Sequence, residues 1–139
     1  MNSSPHSPAE PGQKYLSFTY GERTCAISAD QVEEVLGSLT VSRAPGAGPA
    51  VRGIAVHRGD ILTVLELSEL MPAEFPNGSN TNKYLVLAPG HDGARLAISI
   101  SRANGFSDLT SDEMSPAGSP PLIINRQTIA EIAINAVKT

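Results

Sequence analysis

The sequence predicts a mainly β protein made of small barrels in two groups, and three observations predict it. Short apolar runs recur at roughly ten-residue spacing. Most of them alternate apolar with polar side chains, the period of two that a half-buried strand requires. Between them lie stretches of Gly, Pro, Asn and Ser that favour turns. A polar segment from Pro72 to Asn82, PAEFPNGSNTN, divides the runs into the two groups.

Composition limits what such a protein can be. The 139 residues suffice for one compact domain or two small barrels sharing an interface. Apolar residues are 40% of the chain and charged residues 17%, enough to bury a core. Aromatic residues are 4% and tryptophan is absent, so that core must be aliphatic. A net charge of −4 argues against a nucleic-acid partner, because phosphate binding normally requires a basic excess. Cys25 is the one cysteine, which excludes an intramolecular disulfide and a cysteine-based zinc site. The first 13 residues, MNSSPHSPAEPGQ, carry neither a basic nor an apolar signal region and read as a disordered, solvated tail. No apolar stretch approaches the ~20 residues of a membrane span, so the expected location is cytoplasmic with no membrane insertion.

The elements follow in order. Leu16, Phe18 and Tyr20 alternate with Ser17 and Thr19, and after the turn Gly21-Glu22-Arg23 the segment Thr24 to Ile27 returns, which makes a hairpin. Cys25 then sits on the core face, with no basic neighbour to activate its thiol. Ser28 to Gly37 changes period: Ser28 and Gln31 match a capping box, Val32, Val35 and Leu36 share a helical face, and Gly37 is a natural stop. That predicts a helix of at most two turns, with Glu33 and Glu34 as a solvated face. Leu39 and Val41 alternate before the loop Ala44 to Pro49, whose glycines lack the spacing of a dinucleotide fingerprint.

Val51 to Val56 and Ile61 to Leu67 are strongly apolar runs joined by His57-Arg58-Gly59-Asp60, a hairpin with a glycine-bearing turn. Ser68 to Met71 fits one helical turn. Beyond the linker, Tyr84 to Ala88 and Ala94 to Ile100 read as strands about a turn at Pro89 to Gly93. Leu109 to Met114 fits a helical turn capped by Thr110, Ser115 to Pro121 a loop, and Thr128 to Val137 a closing strand with Ala130, Ile132, Ile134 and Ala136 on one face.

Motifs for catalysis are missing from this pattern. His6, His57 and His91 have no second ligand at metal spacing, and no nucleophile elbow, phosphate loop or zinc-protease helix occurs. No catalytic residue, metal ligand or cofactor is expected. Arg58, at the tip of the most apolar hairpin, reads either as an exposed turn arginine or as a guanidinium held rigidly for a carboxylate of its own chain or of a partner.

Val51 to Leu67, VRGIAVHRGDILTVLEL, resembles the central signature of CheW-like domains: an apolar residue, Gly, an apolar strand, Arg-Gly, a second apolar strand, then an acidic residue and Leu. Tyr15 to Gly21 resembles the family's first strand and turn, and Val32-Glu33-Glu34-Val35 its Val-x-Glu-Ile stretch. Arg95 to Ala103 and Leu109 to Met114 resemble the matching parts of its second half. The likeness spans roughly residues 14 to 138.

It implies two packed five-stranded, SH3-like barrels: a CheW-like domain over 14–139, with subdomains 14–71 and 83–138 joined by 72–82. It also implies a non-catalytic adaptor of a bacterial chemosensory system, coupling the cytoplasmic tips of methyl-accepting chemoreceptors to the regulatory domain of a CheA-type histidine kinase. The family's receptor surface lies in the groove between the barrels. Carried over, that surface takes in Val32, Glu34, Val35, Gly53, Arg58 and Gly59, with Ile100 and Ala103 from the second half. In that setting Arg58 either steadies the groove or touches the receptor.

The chain departs from the family at Ile100-Ser101-Arg102-Ala103, where Val-Asp-Gly-Val is common, and at Glu66-Leu67, where Asp-Leu is usual. The stretch after Met114 is also shortened, which implies an incomplete second barrel with a strand edge exposed or rearranged. Two alternatives therefore stay open: an adaptor that binds receptor without kinase, and a small ligand-binding or enzymatic barrel.

Overall fold

The computed structural model describes residues 14–43, 45–46, 48–71, 75, 81–89, 93, 95–108 and 121–131. The strands are β1 (Lys14–Tyr20), β2 (Arg23–Ser28), β3 (Val32–Leu36), β4 (Val51–His57), β5 (Asp60–Leu65), β6 (Lys83–Leu87), β7 (Leu96–Ile100), β8 (Arg102–Asp108) and β9 (Leu122–Ile124). A short helix α1 (Leu67–Leu70) follows β5, and a second, α2, occupies 126–131. The mainly β class is as the sequence predicts. The expected helical turn at Leu109 to Met114 lies outside the described residues, as do the N-terminal tail and most of the 72–82 linker.

Among the described residues the strands form two sheets. One has the order β8-β1-β2-β9, the other β3-β6-β7-β5-β4. Neighbours are antiparallel except β2 with β9 and β5 with β7, which are parallel. Each sheet takes strands from both sides of the 72–82 segment, so the sheets do not follow that boundary. The first strands form the predicted hairpin, Tyr20 opposite Arg23 across a two-residue turn.

The main core lies between the sheets. Leu16, Phe18, Tyr20, Cys25 and Ile27 from the first meet Leu65, Leu85, Leu87, Leu96, Ile98 and Ile100 from the second. On its opposite face the second sheet buries another core of Ala55, Leu62, Val64, Tyr84, Val86 and Ala97, against which Leu36, Leu39 and Val41 pack. Burial on both faces explains why β6 and β7 read as nearly continuous apolar runs. Cys25 is fully buried, and desolvation pushes its thiol up to about 12. A maleimide should therefore leave the folded protein unmodified and label it only in denaturant; labelling of native protein by mass spectrometry would show that this core opens.

Two predicted elements are corrected. Ser28 to Gly37 is not a helix: a single 3₁₀ turn, Ala29–Gln31, leads directly into β3. Ser28 makes no side-chain cap and its hydroxyl instead donates to Asp30. Val32 and Val35 are β-branched, and pairing of β3 with β6 outweighs a weak two-turn helix. Gln31, the expected capping-box partner, accepts instead from the backbone N–H of Arg126 at the start of α2. The closing strand is the second correction, because 126–131 is helical. Asn125 is its N-cap, its side-chain oxygen accepting from the N–H groups of Gln127 (2.8 Å) and Thr128 (3.3 Å). Residues 132–139 lie outside the described part.

Candidate functional site

The site is built around the β4–β5 hairpin. His57 and Asp60 form its last pair, so Arg58 and Gly59 are the two central turn residues. Both have positive φ, 54° and 81°, the mark of the type I′ turn that matches the twist of a hairpin. Glycine adopts that backbone freely. Arg58 is the one non-glycine at positive φ among the described residues, and a β-carbon there costs about 1–2 kcal/mol.

The hairpin tip reaches the opposite edge of its own sheet. Strands β3 and β4 are four steps apart in the sheet order, a separation of about 19 Å were the sheet flat. Yet Glu34 of β3 sets one carboxylate oxygen 3.0 Å from His57 Nε2 and the other 3.1 Å from Arg58 Nη2. The sheet is therefore curled until its edges meet. The chain after β3 completes the contact, because Ser42 and Ile54 exchange two backbone hydrogen bonds of 2.8 and 2.7 Å. Gly53 makes that approach possible: a β-carbon on it would stand 2.3 Å from the Ser42 carbonyl oxygen and 2.7 Å from Val41 Cγ1.

Beside this contact Glu33 takes a two-pronged grip from Arg95, at 2.9 and 2.8 Å, and Arg95 also lies 3.9 Å from Asp60. The Arg95 hydrogen bonds hold the Glu33 carboxyl below the usual carboxylate range. The support this pair gives is present above the ordinary carboxylate pKa and is lost as pH falls through the lowered one. A bulge between Val32 and Glu34 lets adjacent glutamates serve different partners. Both are thus paired, where spacing alone made them a solvated face.

A second polar cluster ties the two sheets together. The Tyr20 hydroxyl, from β1, donates to Glu66 and accepts from the Ser68 N–H at 3.2 Å. Glu66 also takes the Ser68 hydroxyl at 3.2 Å and Arg52 Nη1 at 3.4 Å, and the same Arg52 nitrogen reaches Thr81 Oγ1 at 2.9 Å and Ser99 Oγ at 3.2 Å. Burial raises the pKa of the Glu66 carboxyl. Tyr20 also meets Phe75 edge to face, with ring centroids 4.8 Å apart.

The carried-over residues divide by exposure. Glu34, Arg58 and Gly59 stand together at the hairpin tip, and Val35 is exposed on β3. Val32 and Ala103 are half-buried against the main core. Ile100 is fully buried in that core and Gly53 is buried beneath Ser42, so either acts on a partner only through the neighbours it supports. Sequence reasoning missed His57, Arg95 and Asp60 as members of the ionic group. It also missed the outward-facing Val56 and Ile61, 71% and 62% exposed, because an apolar strand looks the same in sequence whether its second face is covered or bare. Among the described residues no group of three or more potential metal ligands converges, and no helix is long and apolar enough to cross a membrane.

This arrangement of two packed sheets has a known counterpart. The crystal structure of the scaffolding protein TtCheW from Thermoanaerobacter tengcongensis superposes with a TM-score of 0.63, covering 84% of this chain and 88% of that one at 15% identity. At that identity the likeness speaks for the fold. No curated protein matches the sequence. The family description that matches is that of the CheW-like domain, and it spans residues 14–135, which include all nine described strands. The chain therefore belongs to the CheW-like domain family, whose members are chemotaxis scaffolds and adaptors.

Proposed function

We propose that this protein is a cytoplasmic, non-catalytic adaptor that couples chemoreceptor signalling tips to a CheA-type histidine kinase. The observation that carries the reading is the hairpin tip, where Arg58 is held against Glu34; the sequence motif carries both residues over onto the family's receptor surface. Two strands and a tight turn fix the backbone at Arg58, and Glu34 holds one edge of its guanidinium. Its side chain is 70% exposed, which keeps it open to a second carboxylate. Val35 supplies an apolar contact on the same sheet.

Titration of the purified protein with a receptor signalling hairpin, and separately with the regulatory domain of the kinase, tests both arms. Binding to both supports a coupling scaffold. Binding to the receptor alone reduces the reading to a receptor adaptor without kinase control, and binding to neither removes it. Within the receptor arm, Arg58→Glu should weaken affinity by about 1–3 kcal/mol. Unchanged affinity in a folded variant would take Arg58 out of the interface.

A further inference from the structure

The first sheet ends on a bare strand. Beyond β8, on the side away from β1, no described strand pairs with it. The other margins are closed or short: the edges of the second sheet meet at Ser42–Ile54 and at Glu34, and β9 is three buried residues. Strand β8 is seven residues long, and between Arg102 and Asp108 it has no charge and no proline, the usual guards of an edge. Its register with β1 tells which way each residue faces, because cross-strand partners share a face. Phe106 and Ala103 lie opposite Leu16 and Phe18 on the side of the main core, yet Phe106 is 56% exposed. Arg102, Gly105 and Ser107 lie opposite Thr19, Ser17 and Tyr15 on the outer side. Asn104 is the extra residue of a bulge, its amide donating to Thr19 at 3.1 Å and Ser17 at 3.5 Å.

We infer that β8 is the seam of a two-fold dimer, in which the same strand of a second copy pairs with it antiparallel. The pattern of faces selects that occupant. Close and wide pairs alternate along an antiparallel ladder, so a two-fold axis passes only where a residue meets its own copy. With Asn104 out of the count, as it is against β1, an axis at Gly105 pairs most of the strand. Arg102 then lies opposite the partner's Ser107, outer side to outer side. Ala103 lies opposite the partner's Phe106, core side to core side, and Gly105 brings no side chain to the axis. The row Leu16, Phe106, the partner's Ala103 and the partner's Phe18 thus carries the main core across the seam and covers the exposed ring. Charge agrees with the antiparallel sense, which brings the Arg102 end of each strand to the Asp108 end of the other. A parallel pair would set like ends together.

Sedimentation velocity of the full chain, over about a hundredfold range of concentration, should show the rise from one copy to two. Hydrogen exchange of peptides spanning β8 should slow over the same range, while the β4–β5 hairpin exchanges at a constant rate. Phe106→Lys, at an exposed position, should weaken the dimer by about tenfold or more and leave the circular dichroism unchanged. A chain that stays single throughout the range overturns the inference, and so does a folded Phe106→Lys that pairs as tightly as wild type. A dimer whose β8 exchange ignores concentration is joined through another surface, which also overturns it. Strong protection of β8 in the single copy would mean that the chain itself covers the edge, with the same result. The exchange measurement on wild type decides even if Phe106→Lys fails to fold.

Discussion

Gly53→Ala should cost about 3 kcal/mol of folding stability, although it adds one methyl group to a residue with no side chain. The added carbon would sit 2.3 Å from a backbone oxygen, that of Ser42, and not against a flexible side chain that could swing aside. Relief requires the segment after β3 to move off β4. That breaks the two Ser42–Ile54 hydrogen bonds and lifts Leu39 and Val41 from the second core. Overpacking typically costs 1–3 kcal/mol and each lost hydrogen bond about 1 kcal/mol, so the sum lies at the upper end of single-site effects. Urea denaturation followed by circular dichroism measures it. A loss below 1 kcal/mol would mean that this segment yields without cost, and that Ser42 does not hold the edges of the sheet together.

Tyr20→Phe should be nearly as damaging, at about 2–3 kcal/mol near neutral pH, because it removes one oxygen that serves two partners. Glu66 loses its donor from β1 and the Ser68 N–H loses its acceptor, while the ring and its contact with Phe75 are retained. The effect should depend on pH, and its direction follows from Glu66. A carboxyl whose folded pKa is raised favours the folded state below its unfolded pKa, and that advantage is lost as pH rises through the folded value. The Tyr20 hydroxyl bonds to the carboxylate and offsets part of that loss. Removing it raises the folded pKa further, so the penalty should be larger at pH 7 than at pH 4. Unfolding curves at the two values decide; a penalty independent of pH would assign the whole effect to Ser68.

Legibility in the sequence followed the range of the interactions. The β1–β2 and β4–β5 hairpins were readable because their turns and periods are local, and β6 and β7 because apolar runs of five residues survive burial on both faces. Val32 to Leu36 was misread because its five residues satisfy a helical face and a strand equally, and only the distant β6 decides between them. Thr128 to Glu131, the described part of the expected closing strand, was misread because alternation of Ala and Ile outweighed the cap that Asn125 offers. Strand β8, RANGFSD, carries no alternation and exists by pairing with β1, and the three residues of β9 depend in the same way on β2.

The site was legible in part. Arg58 and Glu34 were visible through family resemblance, but the grip of Arg95 on Glu33 spans 62 positions in sequence and has no local signature. The same is true of Tyr20 and Glu66, 46 positions apart.

The parallel pairing of β2 with β9 has a consequence for synthesis. Cys25 lies opposite Leu122, so one side of the first hairpin has no strand beside it until translation has passed residue 124. During that interval the nascent chain presents an apolar sheet margin, and at ribosomal speeds the wait lasts several seconds or more. Strand β5 waits similarly for β7, which emerges about thirty residues later. The second sheet cannot be finished before β7 is made and the first not before β9, so both early hairpins wait with an unpaired edge.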